Sequence, residues 1–352
     1  MTAVALVESP LQLLAALEAH HAGLLGDRTR VWVRSGVSGL ARTVADLAAC
    51  RLPDGLEIVE YGRRPPWGQS TWAIGDAFSG RIQTWLAGPL PDRLVLVDDG
   101  LATIELARIL ADDRAPVRRI GTSSGLARRR LGLLAYDQLA RLAADGRLTL
   151  FTALPVRAEL RADLAERGGQ VVANRFSWLA TQPLVDRIDE PVVVIGSAMI
   201  ADGFVRPAPY LDWLADLARR TAVRYYPHRR QTPEMLSAIS HLGVKVAGPG
   251  LPVEVRLRGL QHPQRVISLP STALVLLRGI LSRTGARVEG LAVPNDWWTA
   301  RADLPLREHL SSVLTLVASR DHGHAAPTRT AAPTRTGAPA WTDDPARMLA
   351  AT

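Results

Sequence analysis

Residues 94–103 read LVLVDDGLAT, four apolar residues followed at once by two carboxylates and a glycine. The apolar run predicts a strand buried on both faces, and apolar residues then recur at helical spacing over 104–110. Asp98, Asp99 and Gly100 therefore occupy a strand-to-helix turn. In an open α/β sheet such a turn lies at the carboxyl edge, where ligands bind.

The acidic pair has two interpretations at this point. A carboxylate at this edge can accept a proton from a substrate hydroxyl, so Asp98 or Asp99 is a candidate general base. An aspartate before a helix also commonly caps its free N–H groups, and then it has no chemical role. The side chains at the other strand ends decide between the two.

The bulk properties of the chain limit the classes of protein it can be. Its 352 residues are enough for two ordinary cores, and its 47% hydrophobic content is typical of a globular protein. No run of 18 apolar residues and no signal peptide are seen, and Cys50 is the single cysteine, which predicts a protein of the reducing cytoplasm without disulfides. The net charge of +8 favours an anionic partner: a nucleotide, an acidic glycan, nucleic acid or a membrane surface.

The opening of the chain has the same strand-turn-helix pattern. Residues 3–7, AVALV, predict a buried strand, Ser9 suits the N-cap of the next helix, Pro10 fits its first position and Gln12 completes a capping box. The turn at Glu8 and Ser9 then lies on the same sheet edge as the acidic pair, so both are candidate substrate-binding residues. The turn has no glycine-rich phosphate loop, which excludes a dinucleotide fingerprint.

The rest of the first half adds strands and loops. Further strands are predicted near residues 32 and 59, over 148–151 and over 170–174. Residues 61–78 predict a loop from their Pro and Gly content, and Trp67 and Trp72 in it are expected to pack beneath the loop rather than to stack on a sugar. Residues 121–130 predict a solvated turn before an amphipathic helix over 131–142.

The second half restarts the pattern after a polar, proline-containing linker at 181–191, which we interpret as a hinge. A buried strand is predicted over 191–195, and further strands are predicted at the starts of the segments 222–231, 244–255 and 265–280. The candidate catalytic residue His228 follows one of them, and the candidate substrate-binding residues that follow them are Gly196, Ser197, Arg229, Arg230, Pro252, Glu254, Ser271 and Thr272. All of them are expected at one carboxyl edge.

These residue types suit a nucleotide monophosphate. The cations of the 228–230 group neutralise phosphate charge, and Ser271 and Thr272 add hydroxyls to the free N–H groups of a helix start. Glu254 is suited to accept ribose hydroxyls. Each residue alone also has an ordinary role, as a turn histidine, an N-cap or a surface charge. Their joint placement opposite Asp98 and Asp99 favours the functional interpretation.

The predicted fold class is α/β, with two Rossmann-like domains facing a central cleft. The first domain is expected over 1–183 and carries the general base on the acceptor side. The second is expected over 184–320 and binds the nucleotide sugar. Residues 321–352 are rich in Ala, Pro and Thr, contain AAPTRT twice, and are predicted to be disordered.

Five short motifs, VESPLQLL, LVDDG, YYPHRRQ, LPVE and LPST, occur in the order found in bacterial sialyltransferases, over about residues 1–285. The chain resembles the polysialyltransferase and lipooligosaccharide sialyltransferase groups. The resemblance implies a GT-B-type enzyme that uses CMP-sialic acid and needs no catalytic metal or other cofactor. The chain departs from the family's His-Pro signature, because Arg229 follows His228 and Pro227 precedes it.

The resemblance also implies residue roles. Asp98, Asp99 and Gly100 match the signature that carries the general base, with a preference for Asp99. His228 matches the residue that contacts or protonates the leaving CMP, and Thr272, with Ser271 before it, matches the phosphate-binding signature.

The expected function is therefore inverting, metal-independent transfer of sialic acid to a glycan hydroxyl, a step in capsule or surface polysaccharide synthesis. Alternatives are the same fold with CMP-Kdo or a UDP-sugar as donor, and a non-catalytic nucleotide- or glycan-binding homologue. The basic charge favours peripheral contact with an anionic membrane. A nucleic-acid partner is not expected, since no RNP, zinc or helix-turn-helix signature occurs.

Overall fold

A computed structural model describes residues 2–37, 39–61, 66–119 and 125–318. The tail prediction for residues 321–352 and the first part of the 121–130 turn lie outside the described residues. The domain boundaries expected from the sequence stay a prediction, and the two sheets are described below within residues 2–318.

The first sheet contains seven parallel strands among the described residues, in the order β3-β2-β1-β4-β5-β6-β7. These strands are β1 (Thr2–Val7), β2 (Arg28–Arg34), β3 (Leu56–Tyr61), β4 (Thr71–Ile74), β5 (Arg93–Val97), β6 (Leu148–Thr152) and β7 (Gln170–Ala173). The strand order reverses between β1 and β4, and this switch point opens a crevice at the carboxyl edge, as in Rossmann folds. The turns after β1, β4 and β5 therefore meet there.

The helices of the first half connect these parallel strands. They are α1 (Pro10–His21), α2 (Leu40–Asp46), α3 (Gly80–Leu86), α4 (Leu101–Ala111), α5 (Leu126–Ala144), α6 (Ala158–Glu166) and α7 (Ser177–Thr181). The helix predicted over 131–142 begins earlier, so the arginines of 128–130 lie in its first turns rather than in a solvated turn. Arg128 stays ordered there because its guanidinium donates to the Phe78 carbonyl.

The loop prediction for 61–78 was wrong over β4. Its four residues, TWAI, are all buried between β1 and β5, and the flanking Pro and Gly hide so short a strand from a pattern search. Trp72 is buried within this strand, whereas Trp67 is 47% exposed and packs its indole against Gly88. Trp72 therefore packs in the hydrophobic core, as expected in preference to stacking on a sugar.

The second sheet contains five parallel strands among the described residues, in the order β10-β9-β8-β11-β12. They are β8 (Val192–Ile195), β9 (Val223–Tyr226), β10 (Lys245–Val246), β11 (Arg265–Ser268) and β12 (Arg287–Gly290). The accompanying helices are α8 (Ala198–Ala201), α9 (Pro207–Arg220), α10 (Pro233–Ser240), α11 (Val253–Arg256), α12 (Thr272–Leu281) and α13 (Leu304–Ala318). Both sheets are parallel α/β sheets of Rossmann-like order, which confirms the predicted fold class.

The two sheets share part of one hydrophobic core. Leu13 and Leu17 of α1 belong to the same buried cluster as Leu274 and Val275 of α12 and Val313 of α13. Burying each of these leucine and valine side chains stabilises the folded chain by about 1.5–3 kcal/mol. Helices α12 and α13 of the second half therefore contribute to the same core as α1 of the first half.

The predicted hinge runs along the second sheet. Asp186 in this segment accepts hydrogen bonds from the Tyr226 hydroxyl at 2.6 Å and from Arg256 Nε at 2.9 Å, and Arg256 also lies over the Tyr226 ring. Arg258 donates to the Leu179 carbonyl at 2.7 Å. Arg258 also donates to the Gln182 carbonyl, so side chains of the second half hold both this segment and the end of α7.

Among the described residues, no helix combines the length and apolar character needed to span a bilayer.

Candidate active site

Asp98 is fully buried at the end of β5, with 1% of its surface exposed. Its carboxylate accepts the Ala153 N–H at 2.7 Å and the hydroxyl of Thr152, and Thr152 in turn accepts the Leu154 N–H at 3.0 Å. Burial raises the pKa of Asp98 to about 7, against the lowering effect of these hydrogen bonds. Asp98 thus links the ends of β5 and β6, and its carboxyl is closed to solvent.

Asp99 is more accessible, with 15% of its side chain exposed. Its Oδ1 accepts Gln12 Nε2 at 2.7 Å, and its Oδ2 lies 3.1 Å from Arg119 Nη2. Its backbone N–H donates to the Thr103 hydroxyl at 2.8 Å, which closes the first turn of α4. Burial, followed by the nearby Asp76 carboxylate, raises the pKa of Asp99 to about 6.

Gln12 is a site residue that the sequence analysis did not find. The predicted capping box is half formed: Ser9 Oγ accepts the Gln12 N–H at 3.2 Å, but the Gln12 side chain does not return to Ser9. Its Oε1 instead accepts the Glu8 N–H at 2.7 Å, while its Nε2 reaches Asp99. The sequence did carry one signal for this role: Gln12 is a polar residue in the first turn of α1, the helix that begins where the strand order reverses.

Glu8 and Ser9 lie at the expected edge, where each already has a partner. Arg34 Nη1 lies 3.1 Å from Glu8 Oε1, and Ser9 caps α1. Their predicted role in substrate binding stays a prediction.

Gly100 brings the acidic turn against the second sheet. A Cβ atom built on Gly100 would lie 2.9 Å from Thr272 Oγ1. The glycine has φ +68° and ψ −146°, a conformation that essentially only glycine adopts. The predicted base and the predicted phosphate-binding turn are therefore adjacent, as the sequence analysis expected.

The start of α12 offers free polar groups. Ser271 is its N-cap residue in an extended conformation, but its hydroxyl makes no capping hydrogen bond. Ser271 Oγ and Ser268 Oγ, at the end of β11, are buried and have no hydrogen-bond partner within the described part of the chain. Unpaired buried hydroxyls beside a helix N-terminus suit an anionic ligand. Ser268 was not predicted, because it lies inside the strand pattern.

Glu254 lies in α11 after its N-cap residue, Pro252, and is 6% exposed. Burial raises the pKa of Glu254 to about 7, opposed by a hydrogen bond from its own backbone N–H. The alternative of an exposed surface charge is therefore wrong for this carboxyl. A buried carboxyl that packs beside α12 is able to accept hydroxyl donors.

Gly196 and His228 come together between β8 and β9. A Cβ on Gly196 would lie 2.8 Å from His228 N and 2.3 Å from Gln231 Oε1, so only glycine allows this approach. Gln231 accepts the His228 N–H at 2.9 Å and donates to the Tyr225 hydroxyl at 2.7 Å. Ser197 caps α8 by accepting the Met199 N–H at 3.1 Å. Because β8 lies between β9 and β11, the Gly196, His228 and Ser271 turns share one edge.

His228 is a neutral imidazole at pH 7. Burial and then the guanidinium groups of Arg230 and Arg229 lower its pKa to about 4. Its Nδ1 accepts the Arg230 N–H at 3.2 Å, which leaves the proton on Nε2 as a hydrogen-bond donor. Arg230 itself pairs with Asp202 at 2.7 Å, and Arg229 is exposed.

Comparisons with known proteins give structural likeness only. No protein-family model and no curated protein matches the chain. A UDP-glucose:anthocyanidin 3-O-glucosyltransferase bound to UDP superposes with a TM-score of 0.44 at 10% identity, over 90% of this chain and 94% of that one. Medicago truncatula UGT71G1 with UDP-glucose gives 0.42 at 11% identity, over 90% and 93%. LpCGTa with UDP gives 0.45 at 13% identity, over 90% of each chain.

Proposed function

We propose that this protein is an inverting, metal-independent glycosyltransferase that moves sialic acid from CMP-sialic acid to a glycan hydroxyl. It would act in the cytoplasm, where its net charge of +8 favours contact with an anionic membrane face. The observation that supports the proposal is the close approach of Gly100 to Thr272 Oγ1, because the proposed base precedes this glycine and the proposed phosphate-binding helix starts at this threonine.

Asp99 is the better candidate for the general base. Both oxygens of Asp98 are occupied by Thr152 and Ala153, and the side chain is sealed from solvent. Asp99 also has a partner on each oxygen, but its side chain is partly exposed, so an acceptor hydroxyl can reach its remaining lone pairs. Its raised pKa of about 6 makes it a stronger base that is still ionised at pH 7.

The donor would lie across the edge of the second sheet. The Ser271 and Thr272 hydroxyls and the first N–H groups of α12 would hold the phosphate, with His228 Nε2–H as a further donor. Glu254 would accept the ribose hydroxyls. Gly196 and Pro252 shape the turns at this edge, while exposed Arg229 adds positive charge.

The reaction is a single displacement. The acceptor oxygen forms a bond to the anomeric carbon as Asp99 takes the hydroxyl proton. The bond from that carbon to the phosphate oxygen breaks, and its electron pair leaves with CMP. Hydrogen-bond donors at Ser271, Thr272 and His228 stabilise the charge that grows on the phosphate. Attack opposite to the leaving group inverts the anomeric centre.

The choice of donor rests on the motif resemblance, and a direct assay tests it. The full chain is incubated with CMP-sialic acid, CMP-Kdo or UDP-sugars, with sialylated and galactosyl acceptors, and nucleotide release is measured with EDTA or with added Mg²⁺. We expect release of CMP from CMP-sialic acid alone, at the same rate with EDTA. Release from another donor would replace the donor assignment, and a requirement for Mg²⁺ would overturn the metal-independent mechanism.

The variant Asp99→Asn separates catalysis from binding. We expect it to lose transfer by about 10²–10⁴-fold while its affinity for CMP stays near the wild-type value. Nucleotide binding without turnover in the wild-type protein would favour the non-catalytic homologue. Transfer that survives in Asp99→Asn would overturn the assignment of the base.

A further inference from the structure

Asp76 is a second carboxylate at the crevice, in the turn after β4. One guanidinium nitrogen, Arg119 Nη2, lies 3.0 Å from Asp76 Oδ2 and 3.1 Å from Asp99 Oδ2. The other oxygen of Asp76 accepts the Phe78 N–H at 2.9 Å, so its own turn fixes its direction. The side chains of Asp76 and Asp99 are each 15% exposed, and Arg119 bridges them.

Gln12 holds the other side of Asp99. Its Oε1 accepts the Glu8 N–H, and its Nε2 donates to Asp99 Oδ1, each at 2.7 Å. A Cβ on Gly75 would lie 2.2 Å from Gln12 Cγ, so the glutamine crosses directly over the Gly75 backbone. The turn after β4 therefore helps to position Asp99 in two ways. Gly75 leaves room for the Gln12 side chain to reach Asp99, and Asp76 pairs with Arg119.

We infer that Asp76 is a positioning residue for the proposed base: it holds Arg119 against Asp99, and its charge offsets the guanidinium so that Asp99 stays basic. The inference rests on the proposed function, since it requires that Asp99 take the acceptor proton. A guanidinium alone beside a carboxylate would stabilise its ionised form and weaken it as a base. A second carboxylate on the same guanidinium opposes that effect.

Within the described part of the chain, Asp98 also faces Asp99, and the charge of Asp99 contributes to the raised pKa of Asp98. Asp98, its neighbour in the chain, is bound to the end of β6, whose Thr152 is uncharged. The turn before α1 presents Gln12, with Glu8 paired to Arg34, and α12 presents the uncharged Thr272. Burial is the largest cause of the raised pKa of Asp99, and Asp76 is the next.

The pH profile of the transfer reaction tests the inference. We compare kcat and kcat/KM between pH 4.5 and 9 for the wild-type chain, Asp76→Asn and Arg119→Gln. In Asp76→Asn, the acidic limb of the pH–rate profile is expected to move about 1 pH unit lower, because the repulsive carboxylate is removed. In Arg119→Gln, it is expected to move about 1 unit higher, because the attractive guanidinium is removed. Loss of structural support alone would lower the rates at all pH values without opposite shifts.

Matched controls are Glu57→Gln and Arg30→Gln, which remove the same charges from an exposed pair on β2 and β3 at 3.1 Å. Both are expected to leave the acidic limb in place. If Asp76→Asn does not fold, Asp76→Ser removes the charge while its hydroxyl keeps an acceptor for the Phe78 N–H.

The outcomes distinguish this inference from the proposed function. Acidic limbs that stay unshifted, or move in the same direction in both variants, overturn the role of Asp76 while Asp99→Asn remains inactive. Full transfer by Asp99→Asn instead overturns the assignment of the base, and the role of Asp76 falls with it.

Discussion

Gly100 and Thr272 lie so close that a Cβ atom on the glycine would stand 2.9 Å from the threonine Oγ1. The two residues follow strands of different sheets, β5 and β11. Their contact is therefore where the acidic turn of the first sheet meets the helix start of the second. The approach depends on a backbone conformation that is essentially restricted to glycine at this position.

Gly100→Ala is expected to destabilise the protein and to slow transfer. The φ of +68° costs about 1–3 kcal/mol for a residue with a side chain, and the new methyl would push Thr272 away. Urea unfolding gives the loss of stability, and the transfer assay gives the loss of rate. Gly279→Ala is the matched control, because a Cβ there meets nothing within 4 Å. Alanine in the helix should stabilise by about 0.5–1 kcal/mol.

The free energy of unfolding is expected to fall as pH rises from about 4 to 7. The pKa of Asp98 is raised from 3.8 to about 7, so in this range the folded chain keeps a proton that the unfolded chain releases. The contribution of Asp98 to the free energy of unfolding is therefore largest below pH 4 and is lost above about pH 7. The whole change is on the order of 4 kcal/mol. The raised pKa values of Asp99 and Glu254 act with the same sign, and together these three carboxyls outweigh His228, whose lowered pKa acts with the opposite sign between about pH 4 and 6.5.

Asp98→Asn checks this dependence by urea unfolding between pH 5 and 8. The variant should show a shallower fall in stability, because its amide carries no proton to release in this range. Asp137→Asn is the control, since the Arg114 guanidinium lowers the pKa of that exposed carboxyl and keeps it ionised in both states. An unchanged slope in Asp98→Asn would contradict the prediction.

Much of the fold could be predicted from local pattern. Apolar runs followed closely by a turn and a helix identify β1, β5, β8 and β11, and each turn lies on the expected edge. The strand β4 could not be found because its four residues lie among Pro and Gly. Such a strand is recognised only by its neighbours β1 and β5, which are distant in sequence.

The candidate site could be predicted by residue type but not by role. Asp98 and Asp99 are equivalent in the sequence, and burial in three dimensions separates them. The partner of Asp99, Gln12, is 87 positions away, so no local spacing reveals it. Glu254 is likewise buried in α11, which packs against α12, a helix that follows later in the chain.

Glu254 is expected to make nucleoside binding depend on pH. An ionised carboxylate accepts two ribose hydroxyls, so with a pKa of about 7 the affinity for cytidine should rise from pH 6 to 8. Cytidine is the probe because it has no phosphate that titrates in this range. Calorimetry should show that Glu254→Gln binds about tenfold more weakly at pH 8 and without the pH dependence. Glu234→Gln, at an exposed glutamate of α10, should leave binding unchanged.

His228 is expected to act as a neutral hydrogen-bond donor and not as a cation. Burial and the neighbouring arginines lower its pKa to about 4, and the Arg230 N–H occupies Nδ1, so Nε2 carries the proton that would be donated to a ligand. His228→Ala should weaken CMP binding about 3–10-fold, the value of one neutral hydrogen bond, while His228→Gln should keep part of it. His241→Ala, at an exposed histidine of the same half, is the control. Proton NMR should find the His228 ring neutral down to about pH 5, and a ring that titrates above pH 6 would show instead that a charged imidazolium holds the phosphate.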